Sequence, residues 1–75
     1  MARAIETWQA TAYPEPPPSA RLVGSGTTPA DVGWWRYYDR GARLTYLVLG
    51  SVDGYEVRVY RGNVALPCCR EDGAG

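Results

Sequence analysis

The sequence predicts a small, mainly β domain, built as one antiparallel meander of barrel-like or sandwich-like form. The turn-forming pair Asp53-Gly54 separates LTYLVLGSV from YEVRVY, and both segments are rich in β-branched and aromatic residues. This pair predicts a type I′ turn with positive φ at both positions. A second pair, Gly62-Asn63, separates RVYR from VALP in the same way. A chain of 75 residues forms a single domain that buries only about 60–65% of its unfolded surface. We therefore expect it to self-associate or to bind a partner.

The N-terminal half contains more breaks than the rest of the chain. Residues 1–13 fit either a weak helical stripe or a strand, and their threonine and aromatic content favours a strand. Residues 14–18, PEPPP, predict an extended polyproline II segment that serves as a spacer or as a docking ligand. Residues 24–29, GSGTTP, predict a flexible break. The tail, residues 70–75, lacks apolar side chains and is expected to be disordered.

Residues 33–41, GWWRYYDRG, hold four of the nine aromatic residues in five consecutive positions. One interpretation is a helix near 29–40, with Thr28 as the N-terminal cap and Pro29 in the first turn. The run of four aromatic side chains and the interior glycine favour a strand instead. We therefore expect a strand here, followed by a two-residue turn at Arg40-Gly41.

These turns fix which residues face each other and which share a side of the sheet. Asp53-Gly54 as a loop places Val48 opposite Val59, and Arg40-Gly41 as a loop places Trp35 opposite Tyr46. Gly62-Asn63 as a loop places Arg61 opposite Val64. One side, which we call the Trp35 face, is the expected core and carries Trp35, Tyr37, Leu44, Tyr46, Val48, Tyr55, Val57, Val59 and Leu66. The other side, the Trp34 face, carries Trp34, Arg36, Tyr38, Thr45, Leu47, Leu49, Ser51, Glu56, Arg58 and Tyr60. A three-residue loop would exchange Trp34 with Trp35.

The Trp34 face is the expected binding surface, because the meander alone cannot bury it. Tryptophan, tyrosine and arginine are the residue types that dominate protein interfaces. The candidate partner-binding residues are Trp34, Arg36, Tyr38, Leu47, Arg58 and Tyr60. Three covers are possible: the N-terminal segment folded over the face, a second copy in a homodimer, or a different protein. The sequence thus predicts a non-catalytic protein-interaction module, with self-association as the leading mode.

Single-stranded nucleic acid is the alternative partner for the same face. Aromatic rings stack on bases, and Arg36, Arg43 and Arg58 would contact phosphates. The formal net charge of the chain is zero, however, with eight basic and eight acidic residues. That balance disfavours a nucleic-acid-binding function.

Catalytic and cofactor chemistry finds little support in the composition. The chain has no histidine and no lysine, which removes imidazole bases, Schiff-base lysines and the lysine of a phosphate-binding loop. The adjacent Cys68 and Cys69 are too close for an unstrained disulfide with each other and too few for a zinc site. We expect no enzyme activity, no cofactor and no metal. The absence of a long apolar run predicts no membrane partner and a cytoplasmic location, and the composition suits an accessory protein of a phage or other mobile element.

Overall fold

The computed structural model describes residues 3–64, which form five β-strands in one antiparallel sheet. The strands are β1 (Glu6–Ala10), β2 (Ala20–Thr27), β3 (Gly33–Asp39), β4 (Leu44–Ser51) and β5 (Gly54–Arg61). Their order across the sheet is β1-β5-β4-β3-β2. The prediction of a small, mainly β meander is confirmed. The alternative of a helix near 29–40 is wrong, because β3 occupies most of that range.

Strands β2 to β5 form the meander, and β1 adds to its far edge by pairing with β5. The connection from β1 to β2, residues 11–19, must therefore cross the whole sheet. Tyr13 shows which side it takes, because its ring packs on Trp35 and Tyr55 of the Trp35 face. The proline-rich residues 14–18 follow in the same connection, which reaches β2 through a turn closed by the bond from Ala20 N to Pro17 O.

The turn between β4 and β5 forms one residue earlier than predicted, at residues 52–53, and with a different geometry. Ser51 pairs with Gly54 and Val48 pairs with Val57, so the register is displaced by two residues from the predicted one. Gly54 has a φ of +125°, whereas Asp53 has no positive φ, so the predicted type I′ turn with positive φ at both positions is wrong. A displacement of two residues keeps every side chain on its predicted side.

The turn between β3 and β4 is longer than the predicted two residues. Trp35 pairs with Val48, and residues 40–43 connect the strands, with Arg43 in the left-handed region at φ +57°. The carboxylate of Asp39 stabilises this turn, because its Oδ1 accepts a bond of 3.1 Å from the backbone N–H of Ala42. The shift is again two residues, so Trp34 and Trp35 do not exchange sides.

Residues 24–27, which were predicted to belong to a flexible break, instead form the second half of β2. Gly26 lies directly beneath the indole of Trp34, and a Cβ at this position would stand 3.0 Å from its Nε1 atom. The glycine thus makes room for a ring. A register shift between Leu22 and Gly24 leaves Val23 as an extra residue in the strand.

The chain turns at Gly62, whose φ is +87°, but residues 62–64 form no further strand. The predicted pairing of Arg61 with Val64 is wrong, because Arg61 pairs with Leu44 and the other edge of β5 is taken by β1. The predictions for Leu66, for Cys68 and Cys69 and for the tail 70–75 lie outside the described residues.

Candidate functional site

The Trp34 face gathers all six predicted partner-binding residues on one side of three adjacent strands. Arg36, Leu47 and Arg58 form one row across the sheet, and Tyr38 and Tyr60 flank Thr45 in the next row. Three of the six are nonetheless buried: Trp34 is 1% exposed, Leu47 0% and Tyr60 6%. Arg36, Tyr38 and Arg58 are half-buried.

The burial of the Trp34 face has local causes. Gly26 lets the indole of Trp34 lie flat against β2, and Leu49 and Val64 pack around the cluster. The guanidinium carbon of Arg36 lies 6.0 Å from the centre of the Trp34 ring, at the outer limit of a cation–π contact. The Nε atom of Arg36 is buried and has no hydrogen-bond partner among the described residues.

Thr45, at the centre of this face, fixes the segment that follows β5. The fully buried hydroxyl donates to the carbonyl of Gly62 at 2.6 Å and accepts from the backbone N–H of Val64 at 3.1 Å. The two bonds hold Val64 against the Trp34 cluster. Residues 62–64, rather than the N-terminal segment, therefore contribute to covering the Trp34 face.

The Trp34 face carries an ion pair between Arg58 and Glu56. Nε of Arg58 donates to the carboxylate of Glu56, and this bond raises the pKa of the guanidinium. Arg43 lies in the turn between β3 and β4 and not on the face. The three arginines proposed as phosphate contacts do not form one open basic surface.

The Trp35 face has a narrower buried centre, made by Val48, Val57 and Val59. Tyr13 closes part of it: its ring meets those of Trp35 and Tyr55 edge-on, with centroids 5.3 and 5.5 Å away. The hydroxyls of Tyr13 and Tyr37 are hydrogen-bonded. Burial, followed by this bond, raises the pKa of Tyr13. No feature of the sequence indicates this role of Tyr13, apart from its position directly before a proline.

The two edges of the sheet carry exposed apolar side chains, among them the Ile5 and Trp8 of the N-terminal segment that was considered as a cover for the Trp34 face. Trp8 of β1 is 41% exposed, and Ile5 directly precedes the strand and is also exposed. At the opposite edge, Leu22 is 53% exposed and its neighbour Val23 is exposed as well. Such residues, beside unpaired backbone groups, mark the places where another strand can add.

Residues 3–64 contain no candidate metal site. Within them, Asp, Glu, His and Cys residues nowhere come together in a group of three that could hold a metal ion. A cleft of about 440 Å³ lies at the ends of β1, β4 and β5, and its charged lining groups are the carboxylates of Asp53 and Glu56. No stretch of helix in this part of the chain is long and apolar enough to cross a bilayer.

Comparison with protein-family models, with curated proteins and with solved structures gave no match. Function is therefore inferred from the exposed surfaces of this chain. Segments outside the strands pack on both faces, with Val64 on the Trp34 face and Tyr13 on the Trp35 face. The edges are the parts of the sheet where backbone groups and apolar side chains are free together.

Proposed function

We propose that this protein is a non-catalytic interaction module that self-associates through an open edge of its sheet. One observation carries the proposal. Of the large apolar side chains exposed in the described residues, Val52 lies in a turn, and all the others lie on or beside the two edge strands. They are Ile5, Trp8, Leu22 and Val23.

Strand addition suits this geometry. An edge strand presents N–H and C=O groups that a second strand satisfies, and the side chains on each side of the new pair supply specificity. Dimerisation also suits a domain of this small size, because a second copy buries apolar surface that one chain cannot cover. The Trp34 face, where the sequence placed binding, offers less, because three of its six candidate residues are at most 6% exposed.

Nothing in the geometry favours the alternative, single-stranded nucleic acid. Trp34 and Tyr60 are buried, so their rings have no free face for a base, and Arg58 is paired with Glu56. The expected cytoplasmic location and the accessory role in a mobile element stay predictions, because the sheet bears on neither.

Sedimentation velocity across a dilution series from about 500 to about 1 µM tests the proposal. We expect a mass twice that of the monomer at the upper end, with a midpoint that changes little between about 0.05 and about 0.5 M salt. A monomer at every concentration would overturn the proposal. Binding of a fluorescent oligothymidylate that weakens steeply with salt would assign the protein to nucleic acid instead.

A further inference from the structure

We infer that β1 is the self-association edge, and that two copies join β1 to β1 in antiparallel fashion about a twofold axis at Trp8. The inference rests on the proposed function and specifies its interface. It follows from the protection of the two edges, from the direction of the free backbone groups and from the side chains that the resulting register brings together.

The two edges are protected very differently. In β2, the extra residue Val23 interrupts the ladder, Pro17 and Pro18 precede the strand, and Pro29 follows it. Bulges and prolines are the devices with which natural sheets prevent pairing at an edge. β1 pairs with β5 in an unbroken register over all five residues, Glu6–Ala10, and contains neither proline nor lysine. Among the residues that the structure describes, no strand pairs with its outer side, so β1 is the open edge.

The hydrogen-bond pattern shows which groups of β1 are free. Ile5 donates its N–H to the carbonyl of Val59, so that carbonyl points toward β1. The bond from Gly62 N to Arg43 O agrees with this direction, because it shows that the backbone groups of even-numbered residues of β5 point toward β4. Those of the odd-numbered residues, such as Val59, then point toward β1. Backbone groups alternate along an antiparallel ladder. The backbone N–H and C=O groups that bond to β5 are therefore those of Glu6, Trp8 and Ala10. The N–H and C=O groups of Thr7 and Gln9 point to the free edge.

This alternation limits the possible registers of a β1–β1 pair. Only Thr7 and Gln9 within the strand can form hydrogen-bonded pairs across the edge. The register that also uses all five residues pairs Thr7 of each copy with Gln9 of the other. Trp8 then faces Trp8 of the second copy across a non-hydrogen-bonded pair, where the Cα atoms lie about 4.5 Å apart and side chains approach most closely.

The side chains fit this register. Trp8 lies beside Val57 on the Trp35 face, so the pair of indoles extends the apolar row of Trp35, Val48 and Val57 across the axis. Cross-strand aromatic pairs are among the stabilising ones. Glu6 faces Ala10 of the second copy, which avoids opposed like charges, and Thr7 faces Gln9 on the other side of the sheet. The interface is small, so we expect a dissociation constant in the micromolar range.

A matched pair of proline variants tests the choice of edge by sedimentation velocity of the full chain. Gln9→Pro removes an outward N–H from β1, and Ser25→Pro removes the equivalent outward N–H from β2, whose Gly24 and Gly26 bond to β3. We expect Ser25→Pro to dimerise like the wild type. Gln9→Pro loses two hydrogen bonds per dimer by symmetry, so its dissociation constant should rise by about 30-fold or more. Circular dichroism shows whether Gln9→Pro is folded. If it is not, Trp8→Ala tests the same edge with the backbone of β1 intact, and we expect this variant also to weaken the dimer.

Cysteine cross-linking tests the register in a background with Cys68→Ser and Cys69→Ser. A mixture of Thr7→Cys and Gln9→Cys chains should form a covalent dimer under mild oxidant. Either variant alone should not, because identical positions are then more than 7 Å apart. A wild-type dimer that survives Gln9→Pro and Trp8→Ala, or that dissociates with Ser25→Pro, would overturn the inference and leave the proposed function intact. A wild-type monomer at every concentration would instead remove the proposed function itself.

Discussion

Gly54→Ala is the substitution that tests how β1 is held against the rest of the sheet. Gly54 begins β5 with a φ of +125°, a region that side chains other than glycine rarely adopt. A Cβ atom there would also stand 2.9 Å from the carbonyl oxygen of Ala10, at the end of β1. The added methyl group therefore meets two obstacles, one conformational and one steric.

The magnitude follows from a matched position. Gly62 has a φ of +87° and no atom within 4 Å of an added Cβ, so Gly62→Ala measures the conformational cost alone, about 1–2 kcal/mol. Gly54→Ala adds an overpacking cost of about 1–3 kcal/mol, because the obstructing atom is backbone. We expect it to lower the free energy of unfolding by about 2–5 kcal/mol. A domain of this size has about 4–11 kcal/mol in all.

Urea denaturation followed by tryptophan fluorescence measures both variants against the wild type. The reasoning requires Gly54→Ala to be more destabilising than Gly62→Ala by at least about 1 kcal/mol. Equal losses would show that β1 yields to the methyl group without cost. The close approach of Ala10 to β5 would then contribute nothing to the stability of the edge.

Two further predictions concern the polar groups that fix the ends of the sheet. Thr45→Val keeps the shape of a fully buried side chain but leaves two backbone groups without their partner, so we expect a loss of about 2–4 kcal/mol in urea denaturation. The exposed Thr27→Val, outside the proposed interface, should stay within about 0.5 kcal/mol, and a similar loss in both would contradict the role of the buried hydroxyl. The hydroxyl of Ser19 and the N–H of Ala42 donate hydrogen bonds that lower the pKa of Asp39. The ionised carboxylate therefore stabilises the fold above a pH of about 4, and this contribution is lost as the pH falls through the pKa of Asp39 in the folded state. The melting temperature should therefore fall below pH 4 in the wild type and less steeply in Ser19→Ala; parallel curves would refute the assignment.

The assignment of side chains to faces was predictable because a strand alternates strictly. The two turns lie at residues 40–43 and 52–53 rather than at the predicted residues 40–41 and 53–54, and each difference displaces the register by two residues. An even displacement leaves the side of every residue unchanged. Trp35 and Tyr37 are therefore on the predicted side, although each faces a different partner from the one expected.

The relative burial of the two faces was not predictable from the sequence, because it depends on contacts between distant parts of the chain. Trp34 is more buried than Trp35 because Gly26 leaves space for its indole and Val64 packs against its cluster. Local propensity alone predicts that glycines weaken a strand. Only the tertiary contact with Trp34 explains why residues 24–27 are extended.

The aromatic run of β3 shows why binding is proposed at an edge of this protein. The run divides evenly, with Trp34 and Tyr38 on one face and Trp35 and Tyr37 on the other. Within residues 3–64, the sheet has only short irregular segments to cover its faces, and these place Val64 on one face and Tyr13 on the other. The described segments leave uncovered the two edge strands, β1 and β2, where each row of side chains across the sheet ends. At β2 a bulge and prolines protect that end, whereas at β1 an exposed tryptophan lies beside free backbone groups. A second copy of β1 supplies both of the things missing there, namely hydrogen-bond partners for Thr7 and Gln9 and an apolar neighbour for Trp8.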